Sequence, residues 1–270
     1  MRAELLSLYL LGCFAAGAAE QPSAAPASPI PAVQVLAQRP LPPQQAEAAL
    51  VFIGGFGDEI SGIVHALFRR VPASALGVQA ALRAYYYWNG GNVEDAPAGY
   101  RSMADDVAAF RRTNPQADVV LIGHSMGGAA ALQVAALLPA HAGTGRVFVL
   151  TLDPVDRMVQ PVRPQGVSWW GNAYVVNSLS GHDFIAVVGG RWGHCEQADF
   201  NIRFDGRRTD EYGYHYIHDD AEALLTSAGG QPAGALSAAL AKQLQRKAAG
   251  SQADVAQQPQ SPKANSHQGK

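Results

Sequence analysis

Two periods of hydrophobic and polar residues interleave along the middle of this chain. Short apolar runs fall at Ala49-Leu50-Val51-Phe52-Ile53, Val119-Val120-Leu121-Ile122 and Val147-Phe148-Val149-Leu150. Each is too short for a core helix, is rich in aliphatic residues and is soon followed by Gly or Asp, so each reads as a buried strand. Ala81 to Trp88, Tyr174 to Leu179 and the alternating Phe200-Asn201-Ile202-Arg203-Phe204 read as further strands. Between them, Ile60, Ile63, Val64, Leu67 and Phe68 recur at helical spacing from Glu59 to Arg70, as do Met103, Val107 and Phe110 from Tyr100 to Arg112. Two more helices are expected. One starts at Asp219, with Asp219 and Glu222 at capping-box spacing, and the other runs from Ala233 to Lys247 with Leu236, Leu240 and Leu244 on one stripe. Strands alternating with helices across connections of this length predict an α/β fold, a mostly parallel central sheet with helices on both faces. Chemistry in such a sheet belongs at the carboxyl ends of its strands.

The two ends depart from this pattern. Met1-Arg2 precedes an apolar run from Leu5 to Ala19, too short to span a bilayer and closed by small residues, so residues 1–19 read as a secretory signal peptide. Cleavage after Ala16-Gly17-Ala18-Ala19 would release the protein. Leu10-Leu11-Gly12-Cys13 also resembles a lipobox, in which a lipid on Cys13 would tether it to a membrane. Export is the expectation in either case, to the periplasm, the medium or an envelope anchor. Residues 20–46 and 249–270 are polar and rich in Pro, Ala and Gln, the composition of a disordered linker and tail. A single domain over 47–248 remains. Cys195 would be its one thiol, so no disulfide is expected. The 270 residues are 48% hydrophobic and 16% charged with a formal charge of −2, enough for a sizeable core. No Lys/Arg cluster marks a nucleic-acid partner.

Candidate chemistry centres on Gly123-His124-Ser125-Met126-Gly127, which stands between the apolar run ending at Ile122 and the small-residue run Gly127-Gly128-Ala129-Ala130-Ala131. This is the G-x-S-x-G pattern of a nucleophile elbow, a serine on a strained turn from buried strand to helix. Side chains at the flanking positions would clash with the neighbouring strand and helix. The helix that follows would aim its N-terminal amides at charge developing beside the serine.

On these residues the chain resembles an α/β-hydrolase of the lipase/esterase kind, over roughly Ala48 to Leu225. The resemblance implies an α/β-hydrolase fold and a serine hydrolase acting on carboxylic esters, a small-molecule or lipid substrate, and neither cofactor nor metal. It also implies that Gly54-Gly55-Phe56 builds half of an oxyanion hole, from the N–H of Phe56 with that of Met126. Gly54 stands where the family usually has histidine, a departure that removes a side chain bracing this loop.

A serine nucleophile needs an imidazole, and the imidazole needs a carboxylate to hold its tautomer. In this fold the order along the chain is Ser, acid, His. Asp153, after the strand ending at Leu152, is the leading acid, in a Leu-Asp-Pro sequence similar to that of pancreatic-type lipases. Asp183, one strand later, and Asp156 are its rivals. His218, at the start of the helix after Phe204, is the leading base and His215 the alternative. The spacing His215-x-x-His218 does not match a helical zinc pair, and His194-Cys195-Glu196 is no stronger as a metal site. Trp169 and Trp170, in the segment between Asp156 and Ala173, would make either an apolar wall or lid over the serine or ordinary core aromatics. The same machinery would serve a thioesterase, a phospholipase or an acyltransferase, and a catalytically inactive interaction module is the reading from another class.

Overall fold

The computed structural model describes residues 33–37, 47–87, 96–139, 145–178, 180–210, 212–232 and 234–245. The stretches read as a signal peptide (1–19, with Cys13) and as a tail (249–270) lie outside the described residues. Seven strands form one sheet: β1 (Val33–Ala37), β2 (Glu47–Gly54), β3 (Gln79–Tyr87), β4 (Asp118–His124), β5 (Val147–Leu152), β6 (Val167–Val176) and β7 (Phe200–Asp205). Their order is β1-β3-β2-β4-β5-β6-β7. β2 to β7 are parallel to their neighbours, and β1 pairs antiparallel to β3 at the edge. The sheet is thus mostly parallel, as the alternation of strands and helices predicts.

β1 corrects one boundary. It falls within residues 20–46, the stretch read as linker, yet Val33 to Ala37 pair along β3 from Tyr86 to Leu82. Five residues of Val-Gln-Val-Leu-Ala are too short a pattern to stand out from a proline-rich background. An open sheet edge supplies the partner that the local sequence cannot.

The helices are α1 (Asp58–Ser61), α2 (Ile63–Arg70), α3 (Ala96–Thr113), α4 (Met126–Leu137), α5 (Gly181–Gly189) and α6 (Ala221–Thr226). α7 covers residues 236–245. The stretch read as one helix from Glu59 is broken at Gly62, whose φ of 65° separates α1 from α2. α6 begins at Ala221 with Asp220 at its N-cap and no side-chain capping bond, so the expected box from Asp219 does not form.

Alternating strand residues feed two cores. Leu50, Phe52, Val120 and Ile122 meet α2, α6 and α7 on one face. Val51, Ile53, Val119 and Leu121 meet α3 and α4 on the other. Each such side chain contributes about 1.5–3 kcal/mol by leaving water. β2 and β4 need no polar face because helices cover both sides of the sheet. Trp169 and Trp170 belong to β6 and are buried, Trp170 donating its Nε1–H to Thr151 Oγ1 at 3.1 Å. They are core residues, not a lid, because the strand starts earlier than Tyr174 and carries them into the sheet.

The order of the strands reverses between β2 and β4: the chain leaves β2 for β3 on one side and returns to β4 on the other. The carboxyl ends of β2 and β4 flank that crevice, the place where open α/β sheets bind ligands.

Candidate active site

Ser125 sits between the end of β4 and the first residue of α4 with φ 56° and ψ −129°. A non-glycine residue held there costs about 1–3 kcal/mol. The surroundings enforce it. Its N–H donates to Leu152 O at 3.0 Å, and its carbonyl accepts from Gly128 N–H at 2.9 Å and Val155 N–H at 3.0 Å. The flanking glycines are steric requirements. A Cβ on Gly123 would lie 2.1 Å from Gly127 O, and one on Gly127 would lie 2.2 Å from Ile53 O.

His218 reaches this serine from across the sheet. Its Nε2 is 3.0 Å from Ser125 Oγ, and its Nδ1 is 2.6 Å from Asp153 Oδ2. A neutral imidazole donating from Nδ1 to the carboxylate keeps Nε2 as an acceptor for the serine hydroxyl. Asp153 is fully buried just past β5, with φ 42°, and its Oδ1 accepts Val175 N–H at 2.9 Å. The structure therefore brings together Ser125, Asp153 and His218. The rivals are elsewhere. His215 is exposed, bridged to Thr209. Asp156 accepts the N–H groups of Met158 and Val159 in its own turn.

Residues 83–145 match the family model described as alpha/beta hydrolase fold. The matched stretch runs from β3 through the elbow, and the sheet around it has the parallel order that places Ser125 at a strand end. Over this stretch the chain is similar to alpha/beta hydrolases, and the mostly parallel sheet with helices on both faces is consistent with their fold. No curated protein matches the chain. The matched residues contain Ser125 but neither Asp153 nor His218, so the rest of the site is read from geometry.

The loop after β2 lies directly over the serine. A Cβ on Gly55 would fall 2.7 Å from Ser125 Cβ and 3.1 Å from its Oγ, so backbone alone fits there. Phe56 follows in the same turn with its ring exposed, and Met126 is the first residue of α4 on the other side of the serine. The space left at Gly54 is taken by Asp58, whose carboxylate would overlap any Cβ placed on that glycine. Asp58 is buried. Its Oδ1 accepts Val64 N–H at 2.9 Å, its Oδ2 accepts Tyr85 O–H at 2.5 Å, and its own N–H donates to Gly55 O at 3.3 Å. Asp58 thus ties the loop to α2 and β3, a brace that the sequence does not reveal because Tyr85 lies 27 positions away.

His124, the middle residue of the elbow's first half, is a second member that sequence reasoning passes over. It is buried, and its ring packs on that of His218 with centroids 4.7 Å apart. Its Nε2 is 2.7 Å from the carbonyl oxygen of His218, so that nitrogen carries the hydrogen and donates. Burial, with the neighbouring His218 next in size, pushes His124 down to about 4. The unfolded chain takes up this proton near pH 6.5 and the folded one only near 4. Stability from this residue is therefore full above pH 6.5 and is lost as pH falls through that window, by about 3 kcal/mol in all. Urea unfolding between pH 7.5 and 4.5 should show a shallower acid-side loss for His124→Gln than for the parent protein.

Asp183, the rival acid one strand later, is buried at the first turn of α5 and holds the backbone of His218. Its Oδ1 accepts His218 N–H at 3.2 Å and also an Arg191 guanidinium N–H, and its Oδ2 accepts the hydroxyls of Ser178 and Ser180. Burial alone would push this carboxyl up, but the two hydroxyls and Arg191 outweigh it and hold it below its ordinary value. Arg191 Nε lies 3.0 Å from Asp153 Oδ2, an ion pair rather than an aligned hydrogen bond. His194 and Glu196 are exposed, whereas Cys195 is buried with its thiol pushed up to about 12 by desolvation, so the three do not converge. Among the described residues no group of three or more His, Cys, Asp or Glu could hold a metal ion.

Proposed function

We propose that this protein is an exported serine hydrolase that cleaves carboxylic esters, lipase- or esterase-like, by a Ser125–His218–Asp153 triad. The observation that carries the reading is the unbroken relay from Ser125 Oγ through both ring nitrogens of His218 to Asp153, at 3.0 and 2.6 Å. As Ser125 Oγ attacks the ester carbonyl, His218 Nε2 takes its proton and Asp153 stabilises the imidazolium. The oxyanion of the tetrahedral intermediate is assigned to the N–H groups of Phe56 and Met126. Collapse expels the alcohol, which takes the proton from Nε2, and leaves an acyl group on Ser125. A water molecule then loses a proton to Nε2 and attacks the acyl carbon, and the second collapse frees the acid and returns the proton to Ser125. None of these steps calls for a cofactor.

An apolar substrate is supported by apolar side chains exposed on the two segments that adjoin the relay: Phe56 on the loop over Ser125, and Phe184, Ile185 and Val187 on α5, the helix whose Asp183 accepts the His218 N–H. The apolar leader supports export, by the Ala16–Ala19 route or the Cys13 route. Among the described residues no helix is long and apolar enough to cross a membrane. The Cys13 route would add membrane association through a lipid.

The test is p-nitrophenyl ester hydrolysis from acetate to palmitate by protein lacking residues 1–19. Turnover is expected, and the preferred acyl length separates an esterase from a lipase. Failure to turn over any length, together with failure of a fluorophosphonate to label Ser125, would leave only the binding-module reading.

A further inference from the structure

Three charged side chains make one buried cluster at the Nδ1 edge of the imidazole. Asp153 Oδ2 is shared between His218 Nδ1 at 2.6 Å and Arg191 Nε at 3.0 Å. The same guanidinium bonds Asp183 Oδ1, which in turn accepts the backbone N–H of His218. The Arg191 side chain is only 10% exposed and the two aspartates are almost fully buried, so water screens these charges weakly. A cation on the acid of a triad is costly to the reaction in one respect. It competes for the carboxylate oxygen that must stabilise an imidazolium, and it repels that imidazolium.

We infer that Asp183 and Arg191 are positioning residues that act as a charge-balanced pair: Arg191 fixes the Asp153 carboxylate, and Asp183 offsets the cation so that His218 can still become charged during turnover. The inference rests on the reading of Ser125, His218 and Asp153 above. Several features fit a built device. Asp183 is held by four donors besides its own helix position, from Ser178, Ser180, Arg191 and His218. Arg191 is set by its backbone, which bridges to Val155 two residues beyond Asp153 and donates its N–H to Ala186 O on α5. Asp183 reaches His218 at its backbone N–H, whereas Arg191 reaches it through Asp153, and other titratable groups among the described residues lie near the ring. His124 packs on the ring from β4 and stays neutral, and Asp219 and Asp220 follow His218 in its own loop. Asp183 also faces Asp220 through space, and Asp220 is raised by burial first.

The pair makes opposite predictions for its two halves. Arg191→Gln removes a cation and leaves two uncompensated carboxylates, one on the ring and one on the backbone N–H of His218, so His218 should protonate at a pH higher by about one unit. Asp183→Asn leaves the cation uncompensated, so His218 should protonate at a pH lower by about one unit. The double variant restores the balance and should fall within about half a unit of the parent protein. Arg191→Lys keeps the charge and should stay near the parent midpoint while lowering kcat, because an ammonium cannot bridge two carboxylates as the guanidinium fork does.

The measurement is the His218 imidazole titration, followed by NMR of its Cε1–H, beside the acid limb of kcat/KM for a p-nitrophenyl ester. Midpoints that move in opposite directions and cancel in the double variant support the inference. Midpoints that stay put in both single variants, or move together, overturn it, even if both variants lose activity. If Arg191→Gln does not fold, Asp183→Asn and the double variant still decide, since their midpoints are predicted to differ. Opposite NMR shifts in a protein that hydrolyses no ester would retain the charge pair and reject the proposed function instead.

Discussion

Replacing Ser125 by alanine is expected to lower ester hydrolysis by about 10⁴–10⁶-fold and to abolish fluorophosphonate labelling. The reason lies in the relay. Without Oγ there is no nucleophile, and His218 Nε2, now 3.0 Å from an absent partner, has nothing to deprotonate except water. His218→Ala should cost a similar factor and should not add to it in the double variant, because the two groups act as one unit. Asp153→Asn should cost about 10⁴-fold. The amide nitrogen it offers cannot accept the Nδ1 proton, so the tautomer that leaves Nε2 free is no longer favoured. His215→Ala, by contrast, removes an exposed side chain bridged only to Thr209 through its backbone and should leave kcat/KM within about twofold. Rates for the four variants, measured with one short-chain ester, check the whole set. A His215→Ala loss equal to that of His218→Ala would reject the assignment.

Replacing Gly127 by alanine is expected to have the largest effect on stability. The added Cβ would sit 2.2 Å from Ile53 O and 2.7 Å from Gly54 O. Those oxygens belong to β2, which is hydrogen-bonded to β3 on one side and β4 on the other, so the strand cannot yield without breaking both ladders. Relief would have to come from moving α4 off the sheet, where Ala129, Ala130, Leu132 and Val134 are packed. A loss of about 3 kcal/mol or more follows. In a domain of this size that is a fall in Tm of roughly 6–12 °C. Gly181→Ala is the control: a Cβ there meets nothing within 4 Å, and the residue opens α5, so its Tm should be unchanged or slightly raised. Calorimetry of both variants separates a steric requirement from a general intolerance of substitution. Since Gly54 leads directly into Gly55, which lies over the serine, Gly127→Ala should also lower kcat in any fraction that folds.

What could be read from the sequence is what short-range physics dictates. The apolar runs of β2, β4 and β5 are set by burial on both faces of a sheet, a property of five or six consecutive residues. The elbow is likewise local: Gly123 and Gly127 flank Ser125 because their missing side chains are what let strand and helix close on one another. Chain order then narrows the acid and base to a few residues, but spacing alone leaves Asp153 beside Asp183 and His218 beside His215, since each pair follows a strand or shares a loop. What the sequence left unresolved shares a cause. β1 and the Trp169–Trp170 pair are short segments whose fate depends on what lies across the sheet, and the local pattern carries no trace of it. Only the tertiary structure selects the ring and carboxylate that meet, across separations of 93 residues from Ser125 to His218 and 65 from Asp153 to His218. It alone turns Asp183 from a rival acid into a partner of Arg191, puts His124 beneath the imidazole and fits Asp58 into the space of a missing side chain at Gly54. Periodicity and turn chemistry are written into neighbouring residues, whereas a buried charge is satisfied by whatever the fold brings within about 3 Å of it.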